Sequence, residues 1–228
     1  MMNLIVLGYA ICFAILQGSA SANSYFWFLP NAPITRYQTT MVVPAYGGGG
    51  QHAVWPGLEN AAANFVFQSV VSDSYSPGSW TFFVEYCCNI GSPGFVYGPP
   101  LKVYPGDTIT STFSLNNGVW TDSWSLVPGA TGSANGQQAH SGSSGQAFPS
   151  EGDLTRAILG VELMDGGSWD FGQVPWTSLS ITASTTSGWC SFGYSSQALN
   201  YQVSSGTQST SGGSTTCTYS SLQFIGAQ

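Results

Sequence analysis

The chain has 228 residues, of which three are basic and ten acidic, for a formal net charge of −7 at pH 7. Three scattered cations cannot build the basic patch that phosphate backbones require, which excludes nucleic acid as a partner and argues against an anionic membrane surface. Few cations also mean few ion pairs to lose on acidification, so the composition suits an acidic medium.

In chain order, Met1–Ala22 reads as a secretory signal peptide. Leu4–Leu16 is an apolar run too short to span a bilayer, and Ala20-Ser21-Ala22 supplies a small-x-small cleavage site. Residues 23–228 are then expected to form one secreted, extracellular, monomeric domain with no membrane span, with enough aliphatic and aromatic residues for a core. Cys87, Cys88, Cys190 and Cys217 remain after cleavage, an even set that predicts structural disulfides in an oxidising compartment. Three pairings are possible. A vicinal Cys87–Cys88 bridge is disfavoured, because neighbours on a strand point to opposite faces. Neither the cysteines nor His52 and His140 have zinc-ligand spacing, so no metal and no cofactor is expected.

Ser24–Pro33 is aromatic and proline-containing and reads as an extended arm. Tyr37–Val43 has strand composition, ends at Pro44, and is followed by a glycine loop over Gly47–Gly50. Ala53–Glu59 reads as a short strand in which Pro56-Gly57 implies an edge or a bulge. Asn64–Val71 alternates, with Phe65, Phe67 and Ser69 opposing Val66, Gln68 and Val70. Ser79–Cys87 does the same, with Trp80, Phe82, Val84 and Tyr86 opposing Thr81, Phe83 and Glu85. Pro105-Gly106-Asp107 is a turn, with Asp107 a turn residue, and Asn117-Gly118 predicts a hairpin joining Thr108–Ser114 to Val119–Leu126. Pro128–Pro149 is rich in Gly, Ser and Gln and reads as a long loop.

Leu154–Met164 is the next strand, followed by a turn at Asp165-Gly166-Gly167 and a strand over Leu179–Ala183. The Ser/Thr-rich tail, Ser184–Gln228, should add one or two strands stapled by cysteine. Repeated short strands with turn signals and no long helix predict an all-β fold, an antiparallel two-sheet sandwich. Within Leu154–Met164, Ile158, Gly160, Glu162 and Met164 share one face, and Ala157, Leu159, Val161 and Leu163 the other. An acid in mid-strand is costly unless it is paired, wet or working. Taken alone, Glu162 is most simply a hydrated side chain on an edge or solvent-facing strand.

The order of these motifs resembles the eqolisins, glutamic peptidases that are secreted, act in acid and have a concanavalin A-like jelly-roll sandwich. Trp55-Pro56-Gly57-Leu58-Glu59 resembles the family's tryptophan-glycine-acid segment, with Glu59 where aspartate is usual. Phe65-Val66-Phe67-Gln68 resembles its glutamine strand. Glu85-Tyr86 falls on the third motif, with Tyr86 where tryptophan is common. Pro105-Gly106-Asp107 matches the turn, Ile158–Glu162 the glutamate strand and Asp170-Phe171-Gly172 the closing segment.

The resemblance spans residues 37–183 and implies a protein or peptide substrate. It implies Glu162 as the base that activates water and then protonates the leaving amine, and Gln68 as the amide that stabilises the oxyanion. Trp55, Glu59, Glu85 and Tyr86 would line the substrate cleft. Action in acid requires that the pKa of Glu162 not be raised far. The competing reading is a non-catalytic sandwich that binds glycan or peptide on its concave face through exposed aromatics.

Overall fold

Alternation of apolar and polar residues dominates the chain, and a computed structural model shows it resolved into strands. The structure describes residues 23–87, 95–191, 193–196 and 199–227. The signal-peptide expectation for Met1–Ala22 and any bridge involving Cys88 lie outside the described residues.

The strands in chain order are β1 (Ser24–Phe28), β2 (Ile34–Val42), β3 (Gln51–Asn60), β4 (Val66–Ser72), β5 (Thr81–Cys87), β6 (Phe95–Lys102), β7 (Thr108–Asn116) and β8 (Val119–Val127). A five-residue helix α1 (Ala130–Ala134) follows, then β9 (His140–Gln146), β10 (Leu154–Met164), β11 (Val174–Ala183), β12 (Gly193–Ser195), β13 (Leu199–Val203), β14 (Thr207–Ser211) and β15 (Ser214–Ala227). They form two antiparallel sheets packed as a sandwich. One sheet runs β12-β1-β10-β3-β4-β5-β6, and the other runs β13-β15-β11-β2-β7-β8-β9, with β14 hydrogen-bonded to β15.

The main core lies between the sheets. Phe28, Leu58, Phe67, Phe82 and Leu159 from the first meet Tyr37, Phe113, Trp176 and Phe224 from the second. The hairpin at Asn117-Gly118 forms as expected, with φ of +51° and +79° at the two turn residues, the left-handed pair that matches the twist of the flanking strands. No helix among the described residues is long and apolar enough to cross a membrane.

Three expectations are corrected, and a fourth, one or two strands in the tail, gives way to four strands. The supposed arm contains β1, which lies inside the first sheet between β12 and β10. Phe26 and Phe28 point to the core while Tyr25 and Trp27 point outward, so the segment is a strand that buries both faces of its aromatics. β3 is an interior strand, although it contains Pro56. Its pairing with β4 lapses where the proline has no N–H to give: partners run to Val54↔Val71 and resume in the same register at Gly57↔Gln68. The stretch Pro128–Pro149 holds α1 and β9. β9 is a polar, exposed edge strand, so it carries no apolar period.

The tail contributes four strands, β12 to β15, and the Cys190–Cys217 disulfide ties β15 to the segment before β12. Asp107 is the turn residue expected, and it does more. Its buried carboxylate accepts from Tyr104 N at 2.9 Å and from Gly129 N at 2.8 Å, pinning the start of α1 to the turn.

Candidate active site

The outer face of the first sheet carries a second, smaller apolar cluster. It comprises Ala53, Trp55, Val70, Phe83, Ile158 and Met164, with Tyr25 and Trp27 packed against it. Strand register sets its rows. Tyr194 lies opposite Trp27, Trp27 opposite Ile158, Ile158 opposite Gly57, Gly57 opposite Gln68, and Gln68 opposite Glu85. The next row holds Tyr25, Gly160 and Trp55, and the third holds Glu162, Ala53, Ser72 and Thr81. The two glycines make the face possible. A Cβ on Gly160 would sit 2.6 Å from the Trp55 indole, and one on Gly57 would sit 2.9 Å from the Phe67 carbonyl and 3.1 Å from Gln68 Cβ.

Gln68, Glu85 and Glu162 line one crevice, walled by Trp55, Phe83 and Met164, with about 10 Å³ of room for a water's centre, enough for about one molecule. Glu162 is half-buried and accepts a 2.9 Å hydrogen bond from the Tyr25 hydroxyl. β10 lies between β1 and β3, so the edge-strand form of the simple reading of Glu162 does not hold; its carboxylate sits on the outer face, half-buried and paired with Tyr25. Burial raises its pKa above the ordinary glutamate value, and the Tyr25 hydroxyl and then the Trp55 indole pull it part of the way back. The Trp55 N–H closes no hydrogen bond within normal distance, so it acts on the carboxylate as a nearby dipole.

Glu85 is sealed at 1 % exposure, and burial, aided by the charge on Glu162, pushes its carboxyl up to about 8. Glu85 Oε1 and Gln68 Oε1 are both buried without a partner on directly opposed residues. An amide oxygen beside a partnerless carboxyl oxygen is tolerable when the carboxyl carries a proton, in keeping with that raised pKa. The Gln68 amide nitrogen donates to Cys87 Sγ at 3.8 Å. The crevice therefore holds an amide, a sealed carboxyl pushed up to about 8 and a second, more accessible carboxyl whose environments differ.

The structure brings Gln68, Glu85, Glu162 and Trp55 together and leaves two other expected cleft residues out. Glu59 accepts from Arg156 Nη1 at 3.0 Å, at the opposite end of the face from Glu162. Arg156 also donates to the Ala61 carbonyl at 3.0 Å. Tyr86 points the other way, into the sandwich, where its ring meets Phe65 and Phe148 at 6.1 and 5.0 Å. It follows Glu85 on the same strand, and successive side chains take opposite faces.

Gln68 and Glu162 do not face each other directly. Across Gly57, the β10 residue in the row of Gln68 is Ile158, and Glu162 is four residues further on, about 13 Å along the strand. No hydrogen bond joins them, and they meet only by leaning into the shared crevice.

Three features escaped the sequence reading. Tyr25 was hidden in the supposed arm, though the alternation in Ser24–Phe28 marks it. Behind Gln68, Ser69 Oγ donates to Asp122 Oδ2 at 2.6 Å, linking the two sheets through a fully buried carboxyl that burial pushes up to about 7. At the end of β3, the buried His52 ring places Nδ1 2.7 Å from Asp73 and Nε2 3.1 Å from the Ser168 carbonyl. Asp170 accepts from Gly48 N, so this knot ties the glycine loop to the turn after β10. Among the described residues no group of three or more His, Cys, Asp or Glu could hold a metal ion.

No protein-family profile matches the chain, and no curated protein sequence matches it. Solved structures do. A scytalido-glutamic peptidase with a transition state analogue inhibitor superposes with a TM-score of 0.57 at 17 % identity, over 88 % of this chain and 98 % of that one. The scytalido-glutamic peptidase with a peptide-based analogue gives 0.55 at 17 % identity, over the same shares. SCP-B, a member of the eqolisin family in complex with the tripeptide Ala-Ile-His, gives 0.54 at 15 % identity, again over 88 % and 98 %. The chain therefore has the β-sandwich fold of the glutamic peptidases.

Proposed function

We propose that this protein is a secreted endopeptidase of the glutamic type, acting in mildly acidic medium at the Gln68–Glu85–Glu162 crevice. The observation that supports it most is the composition of that crevice: an amide and two carboxyls in unlike environments around room for one water. Glu162, the more accessible acid, takes a proton from that water as it adds to the peptide carbonyl. The Gln68 amide N–H donates to the oxyanion, and because it does not titrate it serves equally at any pH. Glu162 then passes the proton to the nitrogen as the C–N bond breaks and the amine leaves. Glu85, protonated, keeps a second negative charge out of the crevice. The raised pKa of Glu162 moves loss of its base form above the usual glutamate range, so the optimum is mildly rather than strongly acidic. An oxidising, extracellular setting fits the Cys190–Cys217 bridge.

One observation favours a second reading, a binding module without hydrolysis: the residue facing Gln68 across Gly57 is the apolar Ile158. Digestion of an unfolded protein across pH 3–8, with pepstatin present to silence aspartic proteases, separates the two. Cleavage by the parent that is lost in Glu162→Gln and strongly reduced in Gln68→Ala supports the peptidase. A folded parent that cleaves nothing, or a Glu162→Gln variant as active as the parent, overturns it.

A further inference from the structure

The row that contains Gln68 continues away from the crevice as a band of aromatic rings. Tyr194 stacks on Trp27 at 4.7 Å and 16°, Trp27 meets Tyr25 at 5.4 Å, and Tyr25 meets Trp55 at 5.9 Å. The band crosses four strands, from the edge strand β12 through β1 and β10 to β3. Its outer member is open to solvent, with Tyr194 44 % exposed, and Trp27 and Tyr25 are half-buried. Its inner end is the Tyr25 hydroxyl on Glu162.

The charges around it select the ligand. The same face carries the carboxylates Glu59 and Glu162. Its cation, Arg156, is already paired with Glu59, and Lys102, on the far edge strand β6, lies over the Tyr104 ring at 5.2 Å. With Arg156 and Lys102 both engaged and a net charge of −7, an anionic polymer is repelled. A bare peptide fits less well, because the band lies on the face of a sheet, where most backbone groups are already hydrogen-bonded to neighbouring strands. The edge strand that could offer main-chain hydrogen bonds is only three residues long. A pyranose presents an apolar C–H face to a ring and hydroxyls at its rim, and tyrosine hydroxyls and carboxylates are suited to those hydroxyls.

We propose that the Tyr194–Trp27–Tyr25 band binds a neutral saccharide chain and leads it toward the crevice. The inference does not depend on hydrolysis. It is read by binding, which is measured whether or not the protein cleaves peptides.

Native affinity electrophoresis of the mature protein in gels containing hydroxyethylcellulose, laminarin or mannan, with polygalacturonate as the acidic control, tests it. Retardation by at least one neutral polymer, weakened tenfold or more in Tyr194→Ala and in Trp27→Ala, is the expected result. Tyr194 is exposed, so its variant keeps the proposal testable if Trp27→Ala fails to fold. Cleavage of an unglycosylated protein by Tyr194→Ala should match the parent. The proposal is overturned if no neutral polymer retards the protein, if polygalacturonate retards it equally, or if Tyr194→Ala is retarded like the parent. Displacement from the polymer by an unglycosylated peptide would also overturn it and make the band a peptide track.

Discussion

Tyr25 donates a 2.9 Å hydrogen bond to Glu162 across 137 residues of chain, so the carboxylate at the centre of the crevice is held by the first strand of the fold. The bond favours the ionised form of Glu162 against the burial that disfavours it. Tyr25→Phe should raise the pKa of Glu162 further. The acid limb of kcat/KM is then expected to move up by about 0.5–1 pH unit, the equivalent of one hydrogen bond worth about 1 kcal/mol. A pH–rate profile of parent and variant checks this, and an unmoved acid limb would separate Glu162 from the rate.

Stability should fall as the medium turns neutral. The folded-state pKa values of Asp122 and Glu85 are raised, to about 7 and about 8. Between the ordinary carboxylate range and those values the folded chain keeps protons that the unfolded chain has released. Their contribution is therefore fully present below about pH 4 and is lost as pH rises through 7 to 8, at up to about 1.4 kcal/mol per pH unit for each group. Thermal melts should give a lower Tm at pH 8 than at pH 4, and Asp122→Asn should flatten the slope. A Tm that rises over this interval would contradict the assignment.

Gly160→Ala tests the packing of the outer face. The new methyl would lie 2.6 Å from the Trp55 indole, which has to move. A loss of about 1–3 kcal/mol is expected, together with a change in tryptophan fluorescence. Denaturant titration and emission spectra measure the two, and a variant that leaves both unchanged would show that Trp55 is not seated on Gly160.

Replacing Cys190 and Cys217 together by serine should cost about 2–4 kcal/mol, since the bridge closes a separation of 27 residues. The midpoint of urea unfolding should fall in the double variant and in the reduced parent alike. Equal midpoints with and without the bridge would mean that the tail is held by pairing alone.

Local pattern was legible in the sequence where it was strong. The strand Leu154–Met164 and both its faces follow from alternation, and so does the placement of Gln68 on the face opposite the core-facing Phe65 and Phe67 of its own segment. Register between strands is not written in any one of them. Motif order points to Glu162 as the partner of Gln68, whereas pairing through β3 sets Ile158 in that row, and only β3 could tell the two apart. Tyr86 shows a motif overruling a sounder rule, since alternation alone sends it to the core. β1 was obscured by neighbouring prolines and β9 by polarity at an edge. Pro56 broke a reliable prior because its missing N–H falls where the ladder itself lapses.

The crevice draws on β3, β4, β5 and β10, and its hydrogen-bonded partner Tyr25 on β1, which pairs with β10 across more than a hundred residues. Loop-closure entropy must be met before such distant contacts repay it, which places this fold among those that form in roughly milliseconds to seconds rather than faster. No stretch of nascent chain that stops short of β10 can carry the Tyr25–Glu162 pair. Whatever chemistry the crevice performs is thus withheld through the first two-thirds of synthesis by the wiring of the strands, a delay that needs no separate inhibitory segment.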